Sequence, residues 1–355
     1  MFIVSPVKEI NEVATLIKAG ASELYCGVLT EDYLNEYSNL FYLNRRPVIS
    51  SNLRSFSELK LIVEAAHANG VSVSFVLNEF YSQNQFELVL EELDKAIGCN
   101  IDALIVSDVG LLDKLKREYR DKTRVYLSGC GSCFNIEAAR FYKNLGVSRI
   151  ILPRQLAIEE IKAFIDALPD LQFEVFIQNE RCPFIDGFCM FQHGLFEYRY
   201  NKLSRFHNNK FVSRVKNYLM PKKLSRLYRN HIVRNVLKKE LACCSQYDIE
   251  YSGGSSIEQE NIAKTYSSFF NPETFLNACG ACALYDLNRI GVKFVKICGR
   301  YLSRNNKEQD TYFIKEAVRL LNNNLNKEEF VSKVQLLYKK IFGSKCRREY
   351  CYYQN

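Results

Sequence analysis

The chain has 355 residues, of which 47% are hydrophobic, and it carries a formal net charge of +8. This length allows one large α/β barrel or two ordinary domains, and the composition is that of a globular protein. Residues 1–10, MFIVSPVKEI, lack the basic and apolar regions of a signal peptide, and no apolar run approaches the roughly 18 residues of a membrane-spanning helix. We therefore expect a cytoplasmic protein with no transmembrane segment.

Short apolar runs alternate with helical patterns through the first half of the chain, which indicates βα units and a parallel sheet. Seven predicted strands lie within the first 177 residues, and the eighth begins only at residue 293. The predicted strands are 2–5, 23–28, 71–77, 102–107, 124–128, 149–153, 173–177 and 293–298.

The predicted helices keep apolar residues at helical spacing. The first ends at Gly20, a favourable C-cap, and the second begins at Ser55 with a Ser-x-x-Glu pattern. After the last helix, the tail at 344–355 is expected to be loose. The predicted helices are 7–20, 55–70, 157–168, 310–325 and 327–342.

These patterns predict an α/β fold, a (β/α)8 TIM-like barrel with a long cysteine-bearing insertion before the last strand and with C-terminal helices. The insertion leaves the carboxyl end of the seventh strand, the face on which barrel enzymes keep their chemistry. The predicted parts are barrel units one to seven at 1–180, a cysteine-containing basic insertion at 181–292, the last barrel strand at 293–300, and C-terminal helices and tail at 301–355.

One segment of the insertion, 199–239, carries the whole charge imbalance. It holds thirteen Lys or Arg and no Asp or Glu. Because the whole chain has a net charge of +8, the residues outside this segment sum to −5. Its cations are interleaved with aromatic residues, a composition that suits a phosphate backbone or stacked bases. RNA is therefore the expected partner, and the alternatives are a solvated helical face that covers the barrel or a helix on a membrane surface.

Thirteen cysteines are a high count for an intracellular chain, in which thiols serve as metal ligands, redox groups or small buried hydrophobes more often than as disulfides. Six of them border the insertion and could converge above the barrel mouth. A [4Fe–4S] cluster usually takes four thiolates, a zinc ion would use the same residues, and isolated buried thiols are the alternative. The six are Cys182, Cys189, Cys243, Cys244, Cys279 and Cys282.

The remaining cysteines carry weaker signals. Cys130 and Cys133 have the CxxC spacing of a redox pair or half a metal site, although structural thiols are the favoured interpretation. Cys26 and Cys298 lie in predicted strands and are expected in the core. No role follows from the sequence for Cys99, Cys346 and Cys351.

Polar side chains at the carboxyl ends of the predicted strands are the catalytic candidates. Arg154 and Arg300 could grip a carboxylate of a small substrate through two hydrogen bonds. Turn and cap duty is the alternative for Asn and Asp at such positions. The five candidates are Asn78, Asp108, Arg154, Glu180 and Arg300.

Several stretches in a fixed order along the chain resemble the peptidase U32 family, which has an N-terminal barrel and a four-cysteine site after its seventh strand. The resemblance covers about residues 1–300 and includes the pair Cys182 and Cys189. The end of GVKFVKICGR is similar to the family's Lys-Ile-x-Gly-Arg pattern. The stretches are AGASELYCGV (19–28), SSNLRSFSELKLIVEAAHANGVSVSFVLN (50–78), DALIVSDVGLL (102–112), LPRQLAIEEI (152–161) and GVKFVKICGR (291–300).

The resemblance implies a [4Fe–4S] cluster whose first two ligands are Cys182 and Cys189. It implies a third ligand at Cys243 or Cys244 and a fourth at Cys279 or Cys282, without deciding within either pair. Two features depart from the family pattern. Phe188 stands where the family's Ser-Gly-Arg-Cys has arginine, and the gap to the third ligand is longer and filled by the basic segment.

The resemblance also implies oxygen-independent hydroxylation, or a related modification, of RNA or a small metabolite, with the cluster as the redox element and a partner subunit as an open possibility. One alternative is a U32-type peptidase, although the sequence has neither a His-Glu-x-x-His zinc pattern nor a Gly-x-Ser-x-Gly elbow. Only His193 of the four histidines lies near the cysteines in sequence. The other alternative is an RNA-binding scaffold stapled by zinc.

Overall fold

The computed structural model describes residues 1–30, 33, 43–46, 51–182, 185–188 and 277–353. Within them, eight parallel strands close into a barrel in chain order, and β1 pairs with β8 through Val4 and Lys296. The predicted (β/α)8 barrel is confirmed, and every predicted strand overlaps an observed one. The strands are β1 (Phe2–Pro6), β2 (Glu23–Cys26), β3 (Ser72–Leu77), β4 (Ala103–Val106), β5 (Arg124–Leu127), β6 (Arg149–Ile151), β7 (Gln172–Gln178) and β8 (Phe294–Ile297).

Helices pack around the outside of the barrel, and two follow its last strand. Between β7 and β8, the described part of the predicted insertion adds a short helix directly before β8. The described helices are α1 (Val13–Ala19), α2 (Phe56–His67), α3 (Gln83–Gly98), α4 (Val109–Glu118), α5 (Ile136–Asn144), α6 (Ile158–Ala167), α7 (Leu284–Arg289), α8 (Arg304–Leu320) and α9 (Lys327–Phe342).

Helix ends follow the capping residues of the sequence. The Ser55 side chain accepts a hydrogen bond from the Glu58 backbone N–H at 3.2 Å, and Gly20 ends α1 with a left-handed φ of 114°. The bounds of α9 agree with the prediction, whereas α8 begins six residues before the predicted start. Ser303 caps α8 by accepting from the Asn306 backbone N–H, so its polar first turns are helical although they carry little apolar periodicity.

Charged side chains fill part of the barrel interior. Arg149 donates to Glu23 at 2.9 Å and to Glu174 at 3.0 Å, and Lys296 donates to Glu174 at 2.9 Å. Burial would raise the pKa of Glu174, but Lys296 and Arg149 outweigh it and lower that pKa. The Arg149 guanidinium also lies 3.5 Å from the ring centre of Phe294. This paired network forms a fixed layer below the open end of the barrel.

The C-terminal tail lies on the barrel, and the prediction of a loose tail is wrong for residues 344–353. Tyr352 is buried, and its hydroxyl donates to the backbone carbonyl of Asn179. The hydroxyl of Tyr353 donates to the Phe176 carbonyl at 2.9 Å. Each tyrosine buries an apolar ring, and its hydroxyl still makes a hydrogen bond. These contacts fasten a polar segment whose regular structure is a single 3-10 turn, Arg348–Tyr350.

The basic segment 199–239 lies outside the described residues, as do Cys189, Cys243 and Cys244. The predicted RNA contact of that segment therefore stays a prediction, and so does the proposed division of the chain into parts. In the described part of the chain, no helix has the length and apolar character needed to cross a membrane.

Candidate functional site

A cavity of about 130 Å³, here called the mouth cavity, opens at the carboxyl ends of the strands. Val76, Ile105 and Ile151 give it apolar walls. Its charged lining consists of Arg45, Arg46, Arg154, Glu180, Asp186, Lys296 and Arg300. Cations outnumber carboxylates in this lining, so the cavity favours an anionic or electron-rich ligand.

The backbone at the end of β7 positions Glu180. Asn179 and Glu180 have φ values of 65° and 53°, a left-handed conformation that is uncommon outside glycine. The Asn179 side-chain amide donates to Asp310 at 2.8 Å and to the Cys298 carbonyl at 3.3 Å, which holds this turn in place. Strained backbone that is fixed by its surroundings is typical of functional sites.

The Glu180 carboxylate is satisfied on one side only. Its Oε2 accepts a hydrogen bond from Nη2 of Arg46, whereas its buried Oε1 has no hydrogen-bond partner among the described residues. Burial alone would lower the pKa of Arg46, but Glu180 outweighs this effect and the pKa is raised. A buried acceptor left without a donor costs about 1–3 kcal/mol. Oε1 is therefore placed to accept from a bound ligand.

Arg300 is held by neutral amides. Its Nη2 donates to Oδ1 of Asn44 at 2.7 Å, and its Nη1 donates to Oδ1 of Asn52 at 3.2 Å. Gly27 makes this packing possible, because a Cβ at that position would lie 2.5 Å from Nη1 of Arg300. Burial lowers the pKa of Arg300 to about 10. Glu180 opposes this lowering from a distance, but Arg300 makes no direct ion pair with a carboxylate of the described residues, and an anionic ligand would supply one.

Arg154 is fixed by a carboxylate and an aromatic ring. Its Nη1 donates to Oδ1 of Asp186 at 2.8 Å, and its guanidinium lies 4.2 Å from the ring centre of Phe176. Burial would lower the pKa of Arg154, but Asp186 outweighs this and the pKa is raised well above its usual value. The buried Nε has no hydrogen-bond partner among the residues that the structure describes. This N–H can donate to a ligand while the rest of the guanidinium stays anchored.

The other two predicted catalytic residues lie in different settings. Asn78 lines the mouth cavity, accepts from the Arg45 backbone N–H at 3.1 Å and donates to the Ser128 hydroxyl at 3.1 Å. Asp108 caps α4, and its two carboxylate oxygens accept from the backbone N–H groups of Leu111 and Tyr81. These contacts give Asp108 a capping role, and its catalytic role stays a prediction.

Cys182 lines the mouth cavity, and Arg154 lies near enough to interact with it electrostatically. A neighbouring guanidinium favours the thiolate form, the form that binds metals.

The loop that contains Gly187 packs closely against the turn after β5. A Cβ at Gly187, where φ is 88°, would lie 1.8 Å from the Ser132 hydroxyl oxygen, so only glycine fits there.

The three described members of the predicted six-cysteine set lie in two places. Cys182 belongs to the mouth cavity, whereas Cys279 and Cys282 interact electrostatically with Cys346 and Cys351 of the tail. Across the described ranges, no three Cys, His, Asp or Glu side chains stand in an arrangement that already forms a metal site. The other three members lie outside these ranges, so the predicted ligand set stays a prediction.

The CxxC pair after β5 is split between two surroundings. Cys130 lines the mouth cavity, whereas Cys133 is buried in the core and burial raises its pKa to about 12. A redox pair needs one thiol that readily becomes a thiolate. Burial raises the pKa of Cys130 as well, so the placement favours structural thiols.

The sequence profile of "Peptidase family U32" matches residues 8–207, more than half of the chain. The chain belongs to peptidase family U32. The match covers α1 to β7 and reaches past Cys182 and Cys189. It ends before β8, Arg300 and the C-terminal helices.

Two curated proteins that are similar in sequence to this U32 chain have names that refer to RNA modification. The tRNA hydroxylation protein P of Haemophilus influenzae is 30% identical over 142 residues, 40% of this chain and 31% of that protein. A 23S rRNA 5-hydroxycytidine synthase of Escherichia coli is 28% identical over 146 residues, 41% of this chain and 21% of that protein. The chain thus spans under half the length of these relatives.

Other similar proteins carry protease names. An uncharacterized protease of Methanocaldococcus jannaschii is 31% identical over 200 residues, 55% of this chain and 44% of that protein. A solved U32 peptidase structure aligns with a TM-score of 0.40 and 17% identity, covering 50% of this chain and 69% of that one.

Sequence reasoning missed several residues that the structure brings to the site. Arg46 and Asn44 follow no recognisable strand, so no periodicity points to them. The spacing of Cys346 and Cys351 does carry a signal, because two cysteines separated by four residues match half of a zinc site. That spacing could have linked the tail to the CGAC stretch.

Proposed function

We propose that this U32 protein supports the hydroxylation of an RNA base in the cytoplasm, with an iron–sulfur cluster bound beside the mouth cavity. The observation that carries the proposal is the half-satisfied Glu180 carboxylate in a cation-rich cavity at the catalytic face of the barrel. The names of the tRNA- and rRNA-modifying relatives support the choice of RNA over a small metabolite.

The cavity has the features expected for a single unstacked base. Enzymes that modify bases take the target out of the stack into a small pocket and bind its polar edge by hydrogen bonds. Val76, Ile105 and Ile151 offer apolar contact for the ring. Oε1 of Glu180 would accept from an amino or imino group of the base, and Nε of Arg154 would donate to a carbonyl.

Arg300 would bind the charge of the substrate. A phosphate or carboxylate next to Arg300 would supply the compensation that Asn44 and Asn52, as neutral amides, do not. The two asparagines orient the guanidinium before any ligand arrives. The basic segment 199–239 would extend the anion-binding surface along the RNA backbone.

The cluster would be held by Cys182 and Cys189 together with later cysteines of the insertion. Of the two, Cys182 lies among the described residues, and its surroundings can be compared with those that a cluster ligand needs. Cys182 lines the cavity near the Arg154 guanidinium, and a neighbouring cation suits a thiolate ligand. A bound [4Fe–4S] cluster would supply one-electron redox chemistry there. Arg154 would balance part of its negative charge, and its contact with Asp186 would keep the guanidinium in place.

Anaerobic purification tests this assignment. Iron and acid-labile sulfide should be present at about four each per chain, as expected of one such cluster, and the Cys182→Ala variant should lose both. Cys99→Ala is the matched control, because Cys99 lies at the end of α3 and hydrogen-bonds the Phe56 carbonyl. Iron-free wild-type protein, or iron retained by the Cys182 variant, would reject the cluster at this position.

The peptidase name defines the rival function. His67, the histidine among the described residues, interacts with Asp102 at the amino end of β4, away from the mouth cavity. Casein hydrolysis that persists in the Cys182→Ala and Glu180→Gln variants would favour a peptidase whose site lies elsewhere. Absence of hydrolysis together with loss of an RNA modification would favour hydroxylation.

A further inference from the structure

Two large apolar side chains are exposed at the rim of the mouth cavity. Ile185, which lines the cavity, is 53% exposed, and Phe188 is 68% exposed. Phe188 comes directly after Asp186 and Gly187, which also line the cavity, so it lies beside the opening and just outside the lining. A single exposed apolar residue is common on protein surfaces and needs no partner. The meaning of these two therefore depends on how they are held and on what surrounds them.

Polar contacts hold the turn from Ile185 to Phe188 in place. The Asp186 carboxylate accepts from the backbone N–H of Arg154 at 2.9 Å and from its Nη1 at 2.8 Å. The Ser132 hydroxyl donates to the Asp186 carbonyl at 3.3 Å. The Phe188 N–H donates to the Ile185 carbonyl at 3.1 Å, and none of these contacts involves the Phe188 ring. The ring is therefore presented on a fixed backbone, which lowers the entropy lost when a ligand packs against it.

Guanidinium groups line the cavity beside the two apolar side chains. Arg45, Arg46 and Arg154 belong to this lining, and each is partly exposed. A protein partner that buried Phe188 in an apolar surface would also have to cover these cations, and removing charges from water is costly. A nucleic acid strand suits both kinds of group, since cations bind its phosphates and rings stack on its bases. The composition of the rim thus favours single-stranded RNA over an apolar protein surface.

A base bound in the mouth cavity would leave an unstacked neighbour at the rim. Taking a base out of the stack costs free energy, part of which is the stacking that its neighbour loses. The neighbour is one phosphate away along the strand, so it has to lie just outside the cavity. An exposed aromatic ring at that place can stack on the neighbour and recover part of this free energy. It can do so for any base, because every base has a π-face.

We propose that Phe188 is a stacking platform for the nucleotide next to the base in the mouth cavity, with Ile185 between the two bases. The platform rests on the proposed function, because it needs an RNA base in the cavity. It narrows the substrate class to RNA in which the target nucleotide and its neighbour are both unpaired, since a neighbour inside a double helix keeps its own stack. The platform makes no distinction between neighbours of different sequence.

Binding of a fluorescent, mixed-sequence single-stranded RNA to the whole chain tests the platform. Phe188→Leu keeps an apolar side chain but removes the ring, and the affinity should fall about 5- to 100-fold, the effect of losing one base–aromatic stack. Phe188→Tyr keeps a flat ring and should bind like the wild type. Phe141→Leu removes an exposed ring on the outer helix α5 and is the matched control, with wild-type affinity expected.

The salt dependence of binding separates stacking from electrostatics. Each phosphate contact that is lost lowers the slope of log affinity against log salt concentration. Phe188→Leu removes no cation, so its slope should equal that of the wild type although its affinity is lower. The duplex formed with the complementary strand has no unpaired neighbour, and both proteins should bind it equally. A smaller slope in the variant, or an equal loss of affinity for the duplex, would show that the cationic lining had been disturbed and would overturn the platform.

Two results would assign the ring to another contact. Equal losses of RNA affinity in Phe188→Leu and Phe188→Tyr would point to a disturbance of the adjacent Cys189 and not to stacking. A lower melting temperature of Phe188→Leu in the absence of RNA would show that the ring packs against the chain itself. Either result would reject the platform.

The same measurements distinguish failure of the platform from failure of the proposed function. RNA binding that is unchanged in Phe188→Leu would reject the platform and leave the proposed function in place. Wild-type protein that binds no RNA would reject both. Binding that depends on the Phe188 ring, together with unaltered nucleosides in a deletion strain, would support the platform and reject only the hydroxylation.

Discussion

Glu180 and Arg46 form an ion pair in the lining of the mouth cavity. One carboxylate oxygen of Glu180 accepts a hydrogen bond from the guanidinium, and the other is buried without a hydrogen-bond partner among the described residues. The left-handed backbone at Asn179 and Glu180 maintains this placement. The protein thus holds a strained turn and an unsatisfied acceptor at one point of the barrel. Both are expected where a ligand completes the hydrogen bonding.

The first prediction concerns Glu180→Gln. The amide oxygen of the variant can still accept from Arg46. Its amide nitrogen then takes the place of Oε1, and an amide nitrogen cannot accept a hydrogen bond from the ligand. The modified-nucleoside yield should fall about 10- to 100-fold, because a hydrogen bond to a charged group contributes about 1.5–3 kcal/mol. Mass spectrometry of RNA from complemented deletion strains measures the yield. Glu159→Gln, an exposed residue of α6, is the control, and an equal loss in both variants would remove the special role of Glu180.

The second prediction separates function from stability at Arg300. Burial lowers the pKa of Arg300 to about 10, which means that the folded protein disfavours its charged form. Arg300→Gln keeps a donor for the asparagines and removes the charge, so the free energy of unfolding should be unchanged or higher. RNA or substrate-anion binding should weaken at least roughly tenfold. Denaturant titration and a binding assay measure the two effects, and a large loss of stability with intact binding would contradict this role.

The third prediction concerns the buried ion pair between Lys307 and Glu12, whose side chains are both fully buried. Lys307→Met leaves the Glu12 carboxylate buried without its cation, and the free energy of unfolding should drop by about 3–5 kcal/mol. The double variant K307M/E12L should recover most of that loss, since both charges are then absent. Urea titration of the two variants measures this, and additive losses would show that the residues do not act as a pair.

The fourth prediction is a loss of stability at alkaline pH. Burial raises the pKa of Cys26, Cys133 and Tyr126 to about 12. These groups lose their protons more readily when unfolded, so their contribution is complete below about pH 9 and is lost as the pH rises towards 12. Lys307 acts in the opposite direction, because burial lowers its pKa to about 8. The folded protein loses this proton more readily than the unfolded chain, so the contribution of Lys307 to the free energy of unfolding rises between about pH 8 and 10.5.

The melting temperature measured in reductant should therefore fall between about pH 9 and pH 11, since the three raised acids outnumber the two basic groups with a lowered pKa, Lys307 and Arg300. In Cys133→Ala the fall should be shallower, because one titrating thiol is gone. A melting temperature that is flat or rises across this range would contradict the burial of these groups.

The barrel could be predicted from the sequence because its signals are local. Each buried strand is a short apolar run, and each helix repeats apolar residues at helical spacing between recognisable caps such as Ser55 and Gly20. The carboxyl ends of the strands then pointed to Arg154, Glu180 and Arg300, which all line the mouth cavity. The start of α8 was missed because its first turn is polar and only the Ser303 cap marks it.

The parts that could not be predicted depend on contacts between distant segments. Arg46 reaches Glu180 across 134 positions of sequence, and Tyr352 reaches Asn179 across 173. The tail is rich in charged and polar residues, so its composition indicates a loose segment, yet the rings and hydroxyls of Tyr352 and Tyr353 fit the surface beside β7. Periodicity carries no information on such pairings, since they follow from the closed barrel and not from the segments themselves.

The nucleosides of total RNA from cells that carry Cys182→Ala provide the most direct test of the proposed RNA hydroxylation. Digested tRNA and rRNA from wild-type, deletion, Cys182→Ala and Cys99→Ala cells would be compared by mass spectrometry. We expect one nucleoside carrying an added oxygen to be absent from the deletion and Cys182→Ala cells and present at wild-type level with Cys99→Ala. Identical nucleoside profiles in all four strains would contradict the proposed function.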